Sequence, residues 1–280
     1  MRSIKLGVAA LAFSVVAAQS QAITILTTFV PQGGNFGGGL GVAGPDGTML
    51  GGGDLQSVFR AAADTWQNAI GDDFTVSLTF GWQALGGGTL GVHNLFTQGG
   101  TPNRELSGNI RFDNGTAWFA DATPFDNSEY TTYTESTQNL GGGVMNTGRV
   151  YTGATGNAAG RWDLYSVALH EIGHSLGLSS ANNSFLAGNG DLDVDVTGPR
   201  PFAGAEIPTV SGAHINLTTA LMFPSIGSGI RRLPSDADII ANMEISQFTQ
   251  FGAPVPEPAS MAALGLGVLA VVRRRKAAKK

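Results

Sequence analysis

Residues Asp163 to Leu178 read Asp-Leu-Tyr-Ser-Val-Ala-Leu-His-Glu-Ile-Gly-His-Ser-Leu-Gly-Leu. Asp163 is suited to cap a helix start and Gly177 to end it, so the stretch is predicted as one helix. Leu164, Val167, Ala168, Ile172 and Leu176 make its flanks apolar, which places it partly in a core rather than on a solvated face. His170 and His174 are four apart and therefore share one face, one turn apart. Two imidazoles so placed can hold one Zn2+, and Glu171 stands next to the first of them. A carboxylate there can act as general base toward a water whose pKa the metal lowers. A His-Glu-x-x-His pentapeptide also arises by chance on surface helices. Here the apolar flanks, the closing glycine and the presence of half of the four histidines in the motif argue for a metal helix.

A catalytic zinc normally has three protein ligands and a water. Outside the motif only His93 and His214 remain among the histidines, and Asp191, Asp193 and Asp195 compete with them for the third position. His93 lies in Leu90 to Phe96, read as a strand or sheet-edge loop near the cleft, and a structural or surface role is its simplest reading.

The motif resembles the active-site signature of the metzincin metallopeptidases, His-Glu-x-x-His-x-x-Gly-x-x-His, and most closely its matrixin branch. His170, Glu171, His174 and Gly177 match, whereas the eleventh position is Ser180, not a usual zinc ligand. Ala220-Leu221-Met222-Phe223-Pro224 is similar to the metzincin Met-turn, the methionine loop beneath the metal. In matrixins the third histidine precedes that methionine by eight positions, as His214 precedes Met222. The resemblance thus implies His214 as third ligand, after an insertion from about 178 to 213, where the leishmanolysin branch also carries one. It further implies Met222 as the floor of the site and Glu171 as the base of a peptide-bond hydrolase. Gly229 to Ile239 is similar to the matrixin lead into the last helix, with Ser235 as N-cap and Asp236 and Asp238 favourable in the first turn. Gly108 to Asp113 loosely resembles the sheet strands above the metzincin cleft.

Around these segments, Ile23 to Val30 reads as a strand and Gln32 to Gly53 as an irregular glycine-rich loop. Leu55, Val58, Phe59, Ala62, Trp66, Ala69 and Ile70 recur at helical spacing behind Asp54, and Phe74 to Trp82 alternates like a strand. Strand, helix, strand suggests a crossover in a partly parallel sheet. Leu106 to Phe112 and Thr116 to Phe119 read as short strands or a hairpin about Asn114-Gly115. Asp121 to Gly160 reads as loops. The expected fold is an α/β, metzincin-like domain with a mixed, mostly parallel twisted sheet. A back helix (about 55 to 70), the active-site helix (about 163 to 177) and a C-terminal helix (about 235 to 248) accompany it.

Both ends read as targeting segments. Residues 1–22 have a basic start, an apolar run from Leu6 to Ala18 and Ser20-Gln21-Ala22 as a cleavage site, the pattern of a signal peptide rather than a membrane span. At the other end, residues 253–280 begin with Val255-Pro256-Glu257-Pro258-Ala259-Ser260. An apolar stretch to Val272 and Arg273-Arg274-Arg275-Lys276 follow. This resembles the PEP-CTERM sorting signal of Gram-negative bacteria. It implies transient inner-membrane anchoring, processing by an exosortase and release to the cell surface or matrix; an ordinary C-terminal anchor is the alternative. Residues 23–252 are then the catalytic domain, with little chain before the first strand for a pro-domain.

Between the two targeting segments there is no lysine, and twenty carboxylates face eight arginines, twelve charges to the acid side. That argues against nucleic acid or an anionic membrane surface as a partner; a protein or peptide substrate is what the metzincin resemblance implies. The chain has no cysteine, so it has neither disulfides nor a thiol switch. Asp191, Asp193 and Asp195, alternating on an extended chain, could hold Ca2+. A monomer is expected. Two other functions fit the composition: a zinc-bearing but inactive matrix protein, and a purely structural surface protein without zinc.

Overall fold

The computed structural model describes residues 22–252, apart from residues 38, 46, 189 and 212. The signal-peptide reading, except for Ala22, and the sorting segment 253–280 lie outside the described residues. The elements run β1 (Thr24–Val30), α1 (Leu55–Ala69), β2 (Thr75–Gln83), β3 (Gly91–Gly99), β4 (Arg104–Asp113), β5 (Trp118–Phe119), β6 (Tyr130–Asn139) and β7 (Val144–Ala154). They continue through β8 (Trp162–Asp163), α2 (Leu164–Ser175), α3 (Asn183–Gly188), β9 (Asp193–Asp195), β10 (Glu206–Val210), β11 (His214–Ile215), β12 (Arg231–Leu233) and α4 (Asp236–Ile245).

The main sheet has the order β1-β2-β4-β3. β1, β2 and β4 run parallel, and β3 closes the sheet antiparallel to β4 as an edge strand. The mixed, mostly parallel sheet read from the sequence is therefore present. Its underside is apolar, with Val76, Leu78, Phe80, Ile110 and Phe112 buried. α1 covers that face because its apolar residues recur at helical spacing, leaving Leu55, Val58, Phe59, Ala62 and Trp66 inward. Asp54 starts it, accepting from the Ser57 amide at 2.7 Å while the Ser57 hydroxyl faces back to the Asp54 amide. The Phe59 ring lies on Phe80 with centroids 3.9 Å apart.

α2 packs on α1 in turn. The indole Nε1 of Trp66 donates to the Leu169 carbonyl at 2.9 Å, and the hydroxyls of Thr65 and Tyr165 meet at 2.6 Å. An indole nitrogen in a core needs such an acceptor, and this one fixes the depth of α2 against the back helix. α4 closes the core with Ile240 and Met243, behind a capping box of Ser235 and Asp238.

Two readings are corrected. Residues 121–160 are not only loops: β6 and β7 form a long antiparallel hairpin, joined on its β7 side by β12. β6 escaped notice because only Tyr130 of its ten residues is buried, so no alternation marks it. Its threonine-rich run before the glycines at 141–143 was the available signal. Leu106 to Phe112 does fall in a strand, β4, and Thr116 to Phe119 ends in another, β5, but the alternative of a hairpin about Asn114-Gly115 does not form. β5 pairs parallel with β8 instead, bringing Phe119 opposite Asp163 at the start of α2. The Asp113 carboxylate takes the Gly115 amide and the Thr116 hydroxyl, turning the chain away from β4. No helix among the described residues is long and apolar enough to cross a membrane.

Candidate metal centre

The N-terminus of α2 is anchored more heavily than a cap requires. Asp163 accepts from the Ser166 amide at 3.1 Å and from Arg231 through Nε at 3.0 Å and Nη2 at 2.9 Å. The same guanidinium reaches Asp121 at 2.7 Å and the Asn127 side chain at 3.1 Å. Burial alone would lower the Arg231 pKa, but the carboxylates of Asp163 and Asp121 overcome this and hold it above the usual guanidinium range. The metal-motif helix therefore starts from a fully buried ion cluster.

At the other end Gly177, with φ of +154°, turns the chain out of the helix. The chain then makes the excursion expected between about 178 and 213: α3, then β9 and β10 in an antiparallel ladder that hands on to β11. β11 begins with His214, paired with Val210. The inserted segment thus returns to the cleft by backbone pairing, and His214 arrives beside α2.

The structure brings His170, His174 and His214 together, one ring nitrogen of each within 4.8 Å of the others. Ring centroids are 4.7 to 5.2 Å apart. In each ring Nδ1 is tied to a backbone carbonyl: His170 to Leu221 at 2.8 Å, His174 to Leu178, and His214 to Ser211 at 3.3 Å. A carbonyl only accepts, so each Nδ1 carries the proton and each Nε2 a lone pair. The Nε2 atoms of His170 and His174 are 3.1 Å apart. With no proton on either, they cannot hydrogen-bond to each other. Two lone pairs held at that spacing are repulsive unless a cation lies between them. Nitrogens bound tetrahedrally at ~2.0–2.1 Å would be about 3.3 Å apart, so the residues fit zinc. Burial lowers the pKa of all three rings, that of His174 to about 3, which keeps them neutral and able to ligate.

Glu171 is 6% exposed and lines the same cleft of about 630 Å3. Burial raises its pKa to about 8, opposed by a hydrogen bond from the His93 backbone amide. Gly91 makes this possible, since a Cβ there would stand 2.7 Å from the Glu171 carboxylate oxygen. Met222 is buried against α2 at Gly173, where a Cβ would collide with its sulfur. Asp238 holds the Met222 loop, accepting from the amides of Met222 at 2.8 Å and Leu221 at 3.2 Å. The Leu221 carbonyl so placed is the acceptor for His170.

The other candidates fall elsewhere. His93 is on β3 and lines the cleft, but its Nε2 faces the buried Glu105 carboxyl at 2.8 Å. Burial lowers His93 to about 4 and raises Glu105 to about 9, so neutral imidazole meets neutral acid. Ser180 lines the cleft without joining the three histidines. Asp191, Asp193 and Asp195 converge away from the histidines, with carboxylate oxygens within 4.8 Å of one another. They are largely exposed, and only their convergence speaks for a cation. Sequence reasoning missed Glu105, Arg231 and Gly91, whose roles depend on partners 12, 68 and 80 positions away. Glycine within the His-Glu-x-x-His core, at 173, was a signal for the close methionine.

A raised carboxyl pKa has a definite consequence for stability. The proton Glu105 keeps on folding favours the native state below its ordinary pKa of 4.5, and that advantage is lost as pH rises toward about 9. Between about pH 7 and 9 histidines are already neutral, and Glu171, raised to about 8, titrates alongside Glu105, so the difference between wild type and Glu105→Gln carries the Glu105 part. The melting temperature of the wild type is expected to fall over this window, and that of Glu105→Gln to fall by several degrees less. Parallel curves from scanning calorimetry would refute the assignment.

A family model described as matrixin matches residues 48–188, half of the chain. A second, described as the PEP-CTERM protein-sorting motif, matches residues 254–276. No curated protein matches the chain. The matrixin match ends before His214 and Met222, so the third histidine and the methionine loop rest on the geometry above.

Proposed function

Since the chain belongs to the matrixin family of zinc-dependent peptidases, we propose that it is an exported zinc endopeptidase, with His170, His174 and His214 as metal ligands and Glu171 as general base. The observation that supports this most is the convergence of three imidazoles, each tied at Nδ1 to a backbone carbonyl, with one ring nitrogen of each within 4.8 Å of the others. Residues 23–252 form the catalytic unit. Residues 1–22 direct export, and the PEP-CTERM segment carries the protein to the cell surface, with an exosortase as processing partner.

Zinc held by the three Nε2 atoms would lower the pKa of a water and polarise the scissile carbonyl. Glu171, buried and aimed by the His93 amide, takes the proton of the attacking water. It then returns that proton to the departing amine nitrogen. The cleft walls include Leu90, Trp162, Val167, Phe223 and Ile226, which exclude water around an extended peptide and strengthen each polar contact within. Met222 and Asp238 act below, keeping the Leu221 carbonyl where His170 needs it.

The test is metal content by mass spectrometry on the purified protein. About one zinc per chain is expected in the wild type, with most of it lost in His214→Ala. Zinc retained by that variant would remove His214 from the site. A wild type without zinc would favour a structural surface protein, and zinc without Glu171-dependent cleavage an inactive matrix protein.

A further inference from the structure

β3 is the edge of the main sheet, paired on one side only, and its ladder with β4 is irregular. Register shifts fall between Leu95 and Thr97 and between Thr97 and Gln98. No residue of β3 is fully buried, so its register is weakly specified by burial, and the irregularity disrupts the ladder locally. Yet this strand carries the His93 backbone amide that donates to Glu171, and Gly91, whose bare Cα lets it approach. Its placement therefore sets the aim of the proposed base.

Glu105 on β4 reaches back across the irregularity. In the ladder it stands opposite Gln98, beyond the shifts, whereas His93 stands opposite Ile110, before them. Its carboxyl oxygens are 2.9 and 2.8 Å from the His93 Nε2. The Glu105 side chain has no exposure and that of His93 only 3%. The His93 ring in turn lies beside His174, with centroids 6.2 Å apart and planes at 23°. A polar pair buried this deeply stabilises a fold less than apolar side chains of the same volume would. It supplies what apolar packing cannot, a directional tie across a bulge.

We propose that Glu105 and His93 are a positioning pair, locking the register of β3 so that the His93 amide holds Glu171 in its productive orientation. This rests on the metallopeptidase reading above. Neither residue binds the metal or touches the substrate through its side chain in this account. Their effect reaches the reaction through Glu171.

The test uses the zinc-loaded enzyme with fluorescein-labelled casein, measuring kcat, KM and zinc content. Glu105→Leu cuts the tie from one side and His93→Phe cuts it from the other while filling the space beside His174. Each is expected to lower kcat ~10- to 100-fold with KM within about twofold and one zinc per chain, because a misaimed base costs rate rather than binding. Glu105→Gln, whose amide still bonds the His93 ring, is expected to recover most of kcat. Wild-type kcat in both disrupting variants would overturn the proposal. So would a loss of zinc or of folding in both, since the pair would then be merely structural. Glu171→Gln is the control: if it cleaves casein as fast as the wild type, the metallopeptidase reading itself fails, and this inference with it.

Discussion

Glu171→Gln is expected to keep about one zinc per chain and lose on the order of 10³-fold in kcat, the scale of a positioned general base. The substitution is nearly isosteric, so Gly91 still accommodates the side chain and the three histidines, held from their Nδ1 sides by Leu221, Leu178 and Ser211, keep their places. What is lost is the capacity to take a proton at a site where water is scarce. Burial raises the Glu171 pKa while the His93 amide lowers it, which suits the proposed role in proton exchange. Single-turnover cleavage of labelled casein, with metal content measured on the same sample, checks the expectation. Activity above a tenth of wild type in a zinc-replete variant would assign the proton transfer to another group.

Arg231→Leu is expected to lower stability by ~3–5 kcal/mol, about 10 °C in melting temperature for a domain of this size. The guanidinium has no exposure, and it neutralises Asp163 and Asp121, themselves 1% and 2% exposed. Removing it leaves two buried carboxylates without a cation, and aromatic rings of Phe119, Tyr130 and Tyr165 around an absent charge. Because Asp163 caps the metal-motif helix, the loss reaches the site, and zinc is expected to dissociate more readily from the variant. Arg231→Lys restores a charge without the paired geometry and is expected to fall between. A calorimetric scan in which Arg231→Leu melts within a degree of wild type would show the cluster to be energetically idle.

Much of this molecule was legible before folding. The caps at Asp54, Asp163 and Ser235 and the helices behind them rest on contacts three or four residues apart, and the structure shows all three. So does the placing of His170, Glu171 and His174, since the helical repeat alone puts the two rings on one face. Membership in the family followed from those same local residues and is shown by the matrixin match. The reading of 121–160 as loops failed where a strand carries no apolar alternation because neither of its faces enters the core.

What local spacing could not decide was the company each side chain keeps. His93 and His214 were both spare histidines. β10 carries one back beside α2, while β4 engages the other through Glu105. Arg231 and Asp163 are 68 positions apart and meet only because β12 and α2 share one end of the core. The sequence by itself determined the helices, their caps and two of the three imidazoles, because a helix places its side chains by backbone geometry alone. Tertiary structure decided which histidine joins those two and which backbone lies against Glu171, because partners brought together by the path of the chain leave no periodic trace along it.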